Sequence, residues 1–266
     1  MEVDAARCWS SLQAIRREAP LVQNITNLVS MEVVANGLLA LDASPAMVHA
    51  IEEVADFAAI ADSLVVNIGT LSAAWVPSMM KAAGLMAERG KPWVLDPVGV
   101  GATAHRTSVA RDLAKLKPSV IRANASEVLA LAGAALEPTK GVDSSHDSEQ
   151  AIDAACLLAR ERKAVVAVTG AVDHVTDGKR IVHVENGHPM MTRVTALGCT
   201  SSALTAAFLV VEPDPLLAAA EALAVFGLAA EHAAAKAEGP GSLRWRLIDE
   251  LAGLDEATLQ QGIRIR

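Results

Sequence analysis

Residues 93–101 read Trp-Val-Leu-Asp-Pro-Val-Gly-Val-Gly. The first three are apolar without polar alternation, the mark of a strand buried on both faces. Asp96 ends the run, and Pro97, Gly99 and Gly101 then shape a loop. A strand of this kind belongs in a mostly parallel sheet covered by helices. Its carboxyl end is where such sheets bind ligands.

The flanking sequence repeats the pattern. Short β-branched runs at Leu21–Gln23, Ala46–Val48, Leu64–Val66, Val120–Ile121 and Ala164–Val168 predict further strands. Apolar residues at three- and four-residue spacing predict helices over Asp4–Glu18, Met31–Leu41, Val54–Asp62, Ser72–Glu88, Arg106–Lys115, Glu127–Ala132 and Ser148–Glu161. After Val168 the texture changes. Val172–Thr176, Arg180–Val184 and Pro189–Arg193 read as short strands, split by the turn dipeptides Asp177–Gly178 and Asn186–Gly187. They predict an antiparallel edge on the parallel sheet. Helices near Thr200–Val210, Pro215–Ala237 and Ser242–Ala252 follow, with a strand at Ile263–Ile265. The fold class is α/β, with one domain expected over residues 1–266.

Composition excludes several functions. Of 266 residues, 52% are hydrophobic and 20% charged, which suits a large core. The net charge of -8, with no basic block, argues against nucleic acid and anionic membrane surfaces. No apolar run is expected to span a bilayer, and the first twenty residues lack a secretion-signal pattern. Cys8, Cys156 and Cys199 are spaced for neither a disulfide framework nor zinc, so a cytoplasmic location is expected. The seven histidines form no metal-binding pair motif, and no GxxxxGK[ST] phosphate loop exists.

The residues that follow the strands carry chemistry. They are Asn24, Met47 (inside its short run), Asn67 with Gly69 and Thr70, Asp96, Arg122 with Asn124, and Thr169 with Gly170. Singly, each could simply end a strand or cap a helix. Together they point to one cleft. Asp96 can hold magnesium through water, or cap the following turn. Arg122 presents a planar fork to phosphate oxygens. Asn124 and Glu127 have the spacing of a capping box, and Glu127 could equally organise magnesium. Gly198–Cys199–Thr200–Ser201–Ser202 opens a long helix, whose free amides and dipole favour an anion. The same field is expected to lower the pKa of Cys199; the plainer reading is a small buried residue. Cys8 and Cys156 read as core.

These segments, in order, resemble hydroxyethylthiazole kinase of the ribokinase-like superfamily. The matching pieces are Pro20–Asn27 (PLVQNITN), Ser44–Met47 (SPAM), Asn67–Thr70 (NIGT), Leu95–Gly101 (LDPVGVG), Arg122–Glu127 (RANASE), Val168–Asp173 (VTGAVD) and Val194–Cys199 (VTALGC). The resemblance implies a ribokinase-like fold and ATP-dependent phosphorylation of the hydroxyethyl group of a thiazole, with magnesium. It implies that Cys199 lies beside the acceptor hydroxyl and that Met47 binds the thiazole, with Asn24, Ala196 and Gly198 also on the substrate side. Arg122 and Thr169, with Asn124 and Gly170, would contact ATP, and Asp96 and Glu127 would organise magnesium. It further implies a homotrimer with active sites between subunits, to which Asn24 and Met47 could contribute.

In one place the sequence departs from the family pattern. The family usually has Gly where Ala196 stands, and a methyl group there is costly if the backbone needs φ > 0. That departure keeps open a thiazole or nucleotide sensor without turnover. A kinase of another small alcohol, such as a hydroxymethylpyrimidine, is the other alternative.

Overall fold

The structure, a computed structural model, describes residues 3–133 and 144–266, with the side chains of 144–149 outside that description. Eight strands form one sheet in the order β2-β1-β3-β4-β5-β6-β7-β8. They are β1 (Leu21–Ile25), β2 (Ser44–Ala46), β3 (Ser63–Asn67), β4 (Trp93–Asp96), β5 (Val120–Asn124), β6 (Val165–Thr169), β7 (Asp173–Thr176) and β8 (Ile181–Val184). Strands β1 to β6 run parallel, and β7 and β8 are antiparallel. The expected parallel sheet with an antiparallel edge is therefore present.

Side chains alternate across the pleat, so each strand feeds two cores. Val65, Val94, Val120 and Ala167 face one cluster, while Leu64, Val66, Trp93, Leu95 and Ile121 face the other. The first face is covered by α1 (Ala5–Glu18), α2 (Met31–Ala40), α8 (Leu197–Val211), α9 (Pro215–Lys236), α10 (Pro240–Gly253) and α11 (Glu256–Gly262). The second is covered by α3 (Val54–Ile60), α4 (Trp75–Glu88), α5 (Ala104–Ala114), α6 (Ala125–Ala132) and α7 (Ser144–Arg162). Trp93 is wholly buried, and its indole N–H donates to Leu116 O.

Several expectations are corrected. Pro189–Arg193 is a 3-10 turn rather than a strand, because Pro189 opens it and the His188 side chain caps Met190 N. The last segment makes only a bridge, Ile265 to Val184, tied by His183 and Arg266 main-chain bonds. Asp4 caps α1 instead of joining it. Helix α8 starts three residues earlier than expected, which draws Gly198 and Cys199 into its first turn. Helix α9 is long and apolar enough to cross a membrane, against expectation, yet 89% of its most apolar stretch is buried inside the fold. Its alanines pack against α8 and α10, so it serves as a core helix.

Candidate active site

The parallel register brings the carboxyl ends of the strands side by side. Asn67 pairs with Asp96 across β3 and β4, and Asn124 pairs with Thr169 across β5 and β6. Helix α8 aims its first turn at this edge. Two cavities open there, of about 370 Å³ and 630 Å³, and Arg122, Ala196 and Gly198 line both. Asp96, Glu127 and Cys199 face the smaller one; Thr169, Gly170 and Asp173 face the larger.

Asp96 is fully buried. Its Oδ2 accepts from Asn67 Nδ2 at 2.7 Å and from Ser202 Oγ at 2.9 Å, while Oδ1 has no partner. Burial raises its pKa to about 6, against the opposing pull of Arg122 and the Ser202 hydrogen bond. An orphaned carboxylate oxygen on a cavity wall fits a magnesium ion held through water and phosphate, because that ion keeps much of its hydration shell. Among the described residues no group of three or more His, Cys, Asp or Glu side chains gathers.

Arg122 Nη2 donates to Thr169 Oγ1 at 2.7 Å, and its Nε has no partner. Gly198 lies against the guanidinium; a Cβ at that position would stand 2.7 Å from Nη1. The guanidinium would therefore be pushed aside by a side chain at Gly198. Beside it Ala196, the residue before α8, has φ 71, so the position does sit in the left-handed region.

The capping reading of Asn124 and Glu127 is realised. Asn124 Oδ1 accepts from Glu127 N, and Glu127 Oε2 accepts from Asn124 N. Glu127 Oε1 accepts from Gly99 N at 2.8 Å, so both its oxygens hold backbone. Asp96 is thus better placed than Glu127 to meet an ion.

The expectation of a low Cys199 pKa is overturned. Burial, then the neighbouring Asp96 charge, raises it, and the hydrogen bonds from Asn27, Ser30 and Asn67 do not compensate. The amides of Asn27 and Asn67 lie 3.3 and 3.2 Å from Sγ. Cys199 is a neutral thiol near pH 7.

Asn24 is not brought to the cavities. It is fully buried, its amide turns back to Val22 O at 2.8 Å, and it lines neither wall. Strand alternation explains this: Asn24 shares the face of Val22, under α8. Met47 is half-buried against the core and also lines neither cavity. Gly170 N donates to Asp173 Oδ1, which anchors the loop after β6. Burial raises the Asp173 pKa to about 6.

Sequence reasoning gave no role to Asn27, Ser202, Arg106 or the Asn186–Pro189 wall of the larger cavity. Asn27 stands two residues past β1, so the strand-end signal applied one turn later would have reached it.

Comparison with known proteins follows the same contour. Residues 12–257 match the sequence profile of the hydroxyethylthiazole kinase family. The hydroxyethylthiazole kinase of Zea mays is 54% identical over 263 residues, covering 97% of this chain and 92% of that one. A solved hydroxyethylthiazole kinase structure from Pyrococcus horikoshii superposes with a TM-score of 0.91 at 43% identity, covering 98% of both chains. The pyridoxal kinase of Staphylococcus aureus shares the fold, with a TM-score of 0.59 at 17% identity over 79% of this chain and 87% of that one.

Proposed function

This chain belongs to the hydroxyethylthiazole kinase family, and on that footing we propose how its site transfers a phosphoryl group. It is a ribokinase-like phosphotransferase of thiamine salvage. The donor is ATP and the acceptor is the hydroxyethyl group of 4-methyl-5-(2-hydroxyethyl)thiazole. The observation that carries the mechanism is that Arg122 and Gly198 stand on the walls of both cavities. A nucleotide in the larger cavity would present its terminal phosphate at this shared point, facing the smaller cavity.

Transfer forms a bond between the alcohol oxygen and the γ-phosphorus and breaks the bond from that phosphorus to the β–γ bridging oxygen, releasing ADP. The transition state of such transfers is loose, so positioning and electrostatics dominate. Arg122 supplies a fixed cation, with Thr169 holding its fork. The first amides of α8, at Leu197, Gly198 and Cys199, point at the migrating group with the positive end of the helix dipole. Magnesium, when bound, neutralises phosphate charge, and Asp96 Oδ1, through water, is the atom that would hold it.

Cys199 sits beside the acceptor hydroxyl and orients it. A neutral thiol is a poor proton acceptor. The hydroxyl proton leaves late, once the bond to phosphorus has made that oxygen acidic, and passes to water or a phosphate oxygen. Helix α8 forms from Leu197 despite the Ala196 methyl, so the amides that face the anion are kept.

We further propose one kinase domain over residues 1–266, a cytoplasmic setting and a homotrimer in which a neighbouring subunit completes the thiazole site around Met47. The half-burial of Met47 away from both cavities of a single chain supports the last point. The decisive experiment is an ATP–magnesium assay against a panel of small alcohols, with the product identified by mass. Alcohol-dependent ADP release with a phosphorylated thiazole is expected; tight binding without turnover would overturn the reading.

A further inference from the structure

Arg106 enters the smaller cavity's surroundings from behind. It stands in the first turn of α5, whose N-cap Thr103 accepts from its backbone N–H. Its side chain folds back under the loop after β4. Nη1 donates to Val98 O at 2.8 Å and also to Ile68 O, and Nη2 donates to Gly69 O at 3.2 Å. One guanidinium thus holds carbonyls from two loops, the one after β3 and the one after β4. Gly99, at φ 69, lies against its side chain; a Cβ there would stand 3.4 Å from Arg106 Cδ.

Further hydrogen bonds extend this clamp in both directions. Leu28 N, in the loop after β1, donates to Thr70 Oγ1 at 3.0 Å. Gly99 N donates to Glu127 Oε1, and Glu127 Oε2 accepts from Asn124 N at the end of β5. The loops after β1, β3, β4 and β5 are therefore linked in the order of their strands. Gly69, Thr70, Val98 and Glu127 of this series line the smaller cavity. Arg106 is its central member and its cation: as Glu127 does between the β4 loop and the end of β5, its side-chain fork joins the β3 loop to the β4 loop. Among the described residues it has no carboxylate within salt-bridge distance, so its charge is met by carbonyl dipoles rather than by an acid.

We infer that Arg106 is a positioning residue that sets the separation of the β3 and β4 loops, and so the place of Asp96 relative to the acceptor hydroxyl. The inference rests on the phosphotransfer reading above. A planar fork is needed because a lysine ammonium presents a point charge that cannot match two carbonyl directions at fixed spacing. The larger cavity is lined by Arg122 of β5, the end of β6, the Asn186–Pro189 segment, the start of α8 and α9, and does not include these loops. Loss of Arg106 is thus expected to act on the chemical step more than on nucleotide binding.

The test compares wild type, Arg106→Ala and Arg106→Lys. Three readouts are kcat, the ATP dissociation constant by calorimetry, and hydrogen exchange over residues 27–30, 68–71 and 98–101. A misplacement of about 1 Å costs roughly 100-fold in rate, so kcat of Arg106→Ala should fall by about that factor. ATP affinity should change little, exchange should quicken in all three segments, and Arg106→Lys should not restore kcat. Added methylguanidinium should partly rescue Arg106→Ala. The inference is overturned if folded Arg106→Ala keeps its kcat, if Arg106→Lys restores it, or if exchange in the three segments is unchanged. An inactive wild type would defeat the kinase reading instead, and the exchange data would still decide whether Arg106 braces the loops.

Discussion

The side-chain amide of Asn67 donates to Asp96 Oδ2 at 2.7 Å and also lies 3.2 Å from Cys199 Sγ. Its oxygen accepts from Asn27 Nδ2 and Gly69 N, both at 2.9 Å. Every hydrogen-bonding valence of this buried amide is therefore used, and it couples the Asp96 carboxylate to the Cys199 thiol. A fully satisfied buried network is rigid, and a partly satisfied one is costly.

Asn67→Ala should lower stability by about 1–3 kcal/mol, the cost of unpaired buried groups. It should lower kcat by roughly 100-fold through loss of positioning. Asn67→Asp should be more destabilising at pH 8 than at pH 5, because two adjacent carboxylates cannot both ionise cheaply. Urea unfolding at both pH values, with steady-state kinetics, checks this.

Cys199 should alkylate slowly. Its raised pKa leaves less thiolate than a free cysteine has between pH 7 and 9. In a Cys156→Ser background, iodoacetamide labelling of the folded protein should lag a cysteine peptide throughout that range. Faster labelling than the peptide at pH 7 would restore the low-pKa picture.

The two small residues at the start of α8 should respond in opposite ways. Ala196→Gly relieves a left-handed alanine, worth about 1–2 kcal/mol, of which about 0.4–1 is returned through the freer unfolded chain. A small gain in stability is expected from urea unfolding. Gly198→Ala drives a methyl into Arg122 Nη1. A guanidinium pushed off the wall shared by the two cavities would lose a charged hydrogen bond to phosphate, worth about 1.5–3 kcal/mol, so ATP affinity should drop roughly ten- to a hundredfold. Calorimetry reads the change.

Glu221 on α9 is fully buried, with Oε1 3.5 Å from Arg7 Nε. Burial raises its pKa from 4.5 to about 7. The folded state then binds the proton more tightly than the unfolded state does. The resulting stability is present below pH 4.5, is lost between pH 4.5 and 7, and stays absent above. Glu221→Gln should therefore stabilise the protein at pH 8, by up to about 3 kcal/mol, and change little at pH 4. The decline of stability with rising pH should become shallower, with Asp96 and Asp173 carrying what remains. A variant no more stable than wild type at pH 8 would contradict the assignment.

The legible part of this protein is periodic and local. Trp93–Leu95, Val120–Ile121 and Ala164–Val168 read as strands because their apolar runs are unbroken, and the residues after them are Asp96, Arg122 and Thr169. The Asn124–Glu127 cap was legible because both partners lie within four residues. Contacts across long separations were not: Asn67 meets Cys199 across 132 positions, and Arg106 meets Ile68 across 38. That Asn24 lines neither cavity of a single chain was not legible, because its side of the pleat depends on register, which a short run leaves undefined. The Cys199 pKa was misjudged because a helix start is visible in sequence, whereas the burial that outweighs it is not. Pro189–Arg193 follows the Asn186–Gly187 turn signal as a strand would, but its Met190 and Met191 pack on the core from a 3-10 turn.

The two margins of the sheet have a bearing on how copies of this chain can meet. On one side β2 has only three residues, with Pro45 at its centre lacking a donor. On the other, β8 is already tied to the last residues through His183 and Arg266. Neither border invites a foreign strand, so ribbon-like polymerisation is disfavoured. Helix faces and loops are the favoured surfaces for any assembly, and there side-chain fit decides the partner and the number of copies.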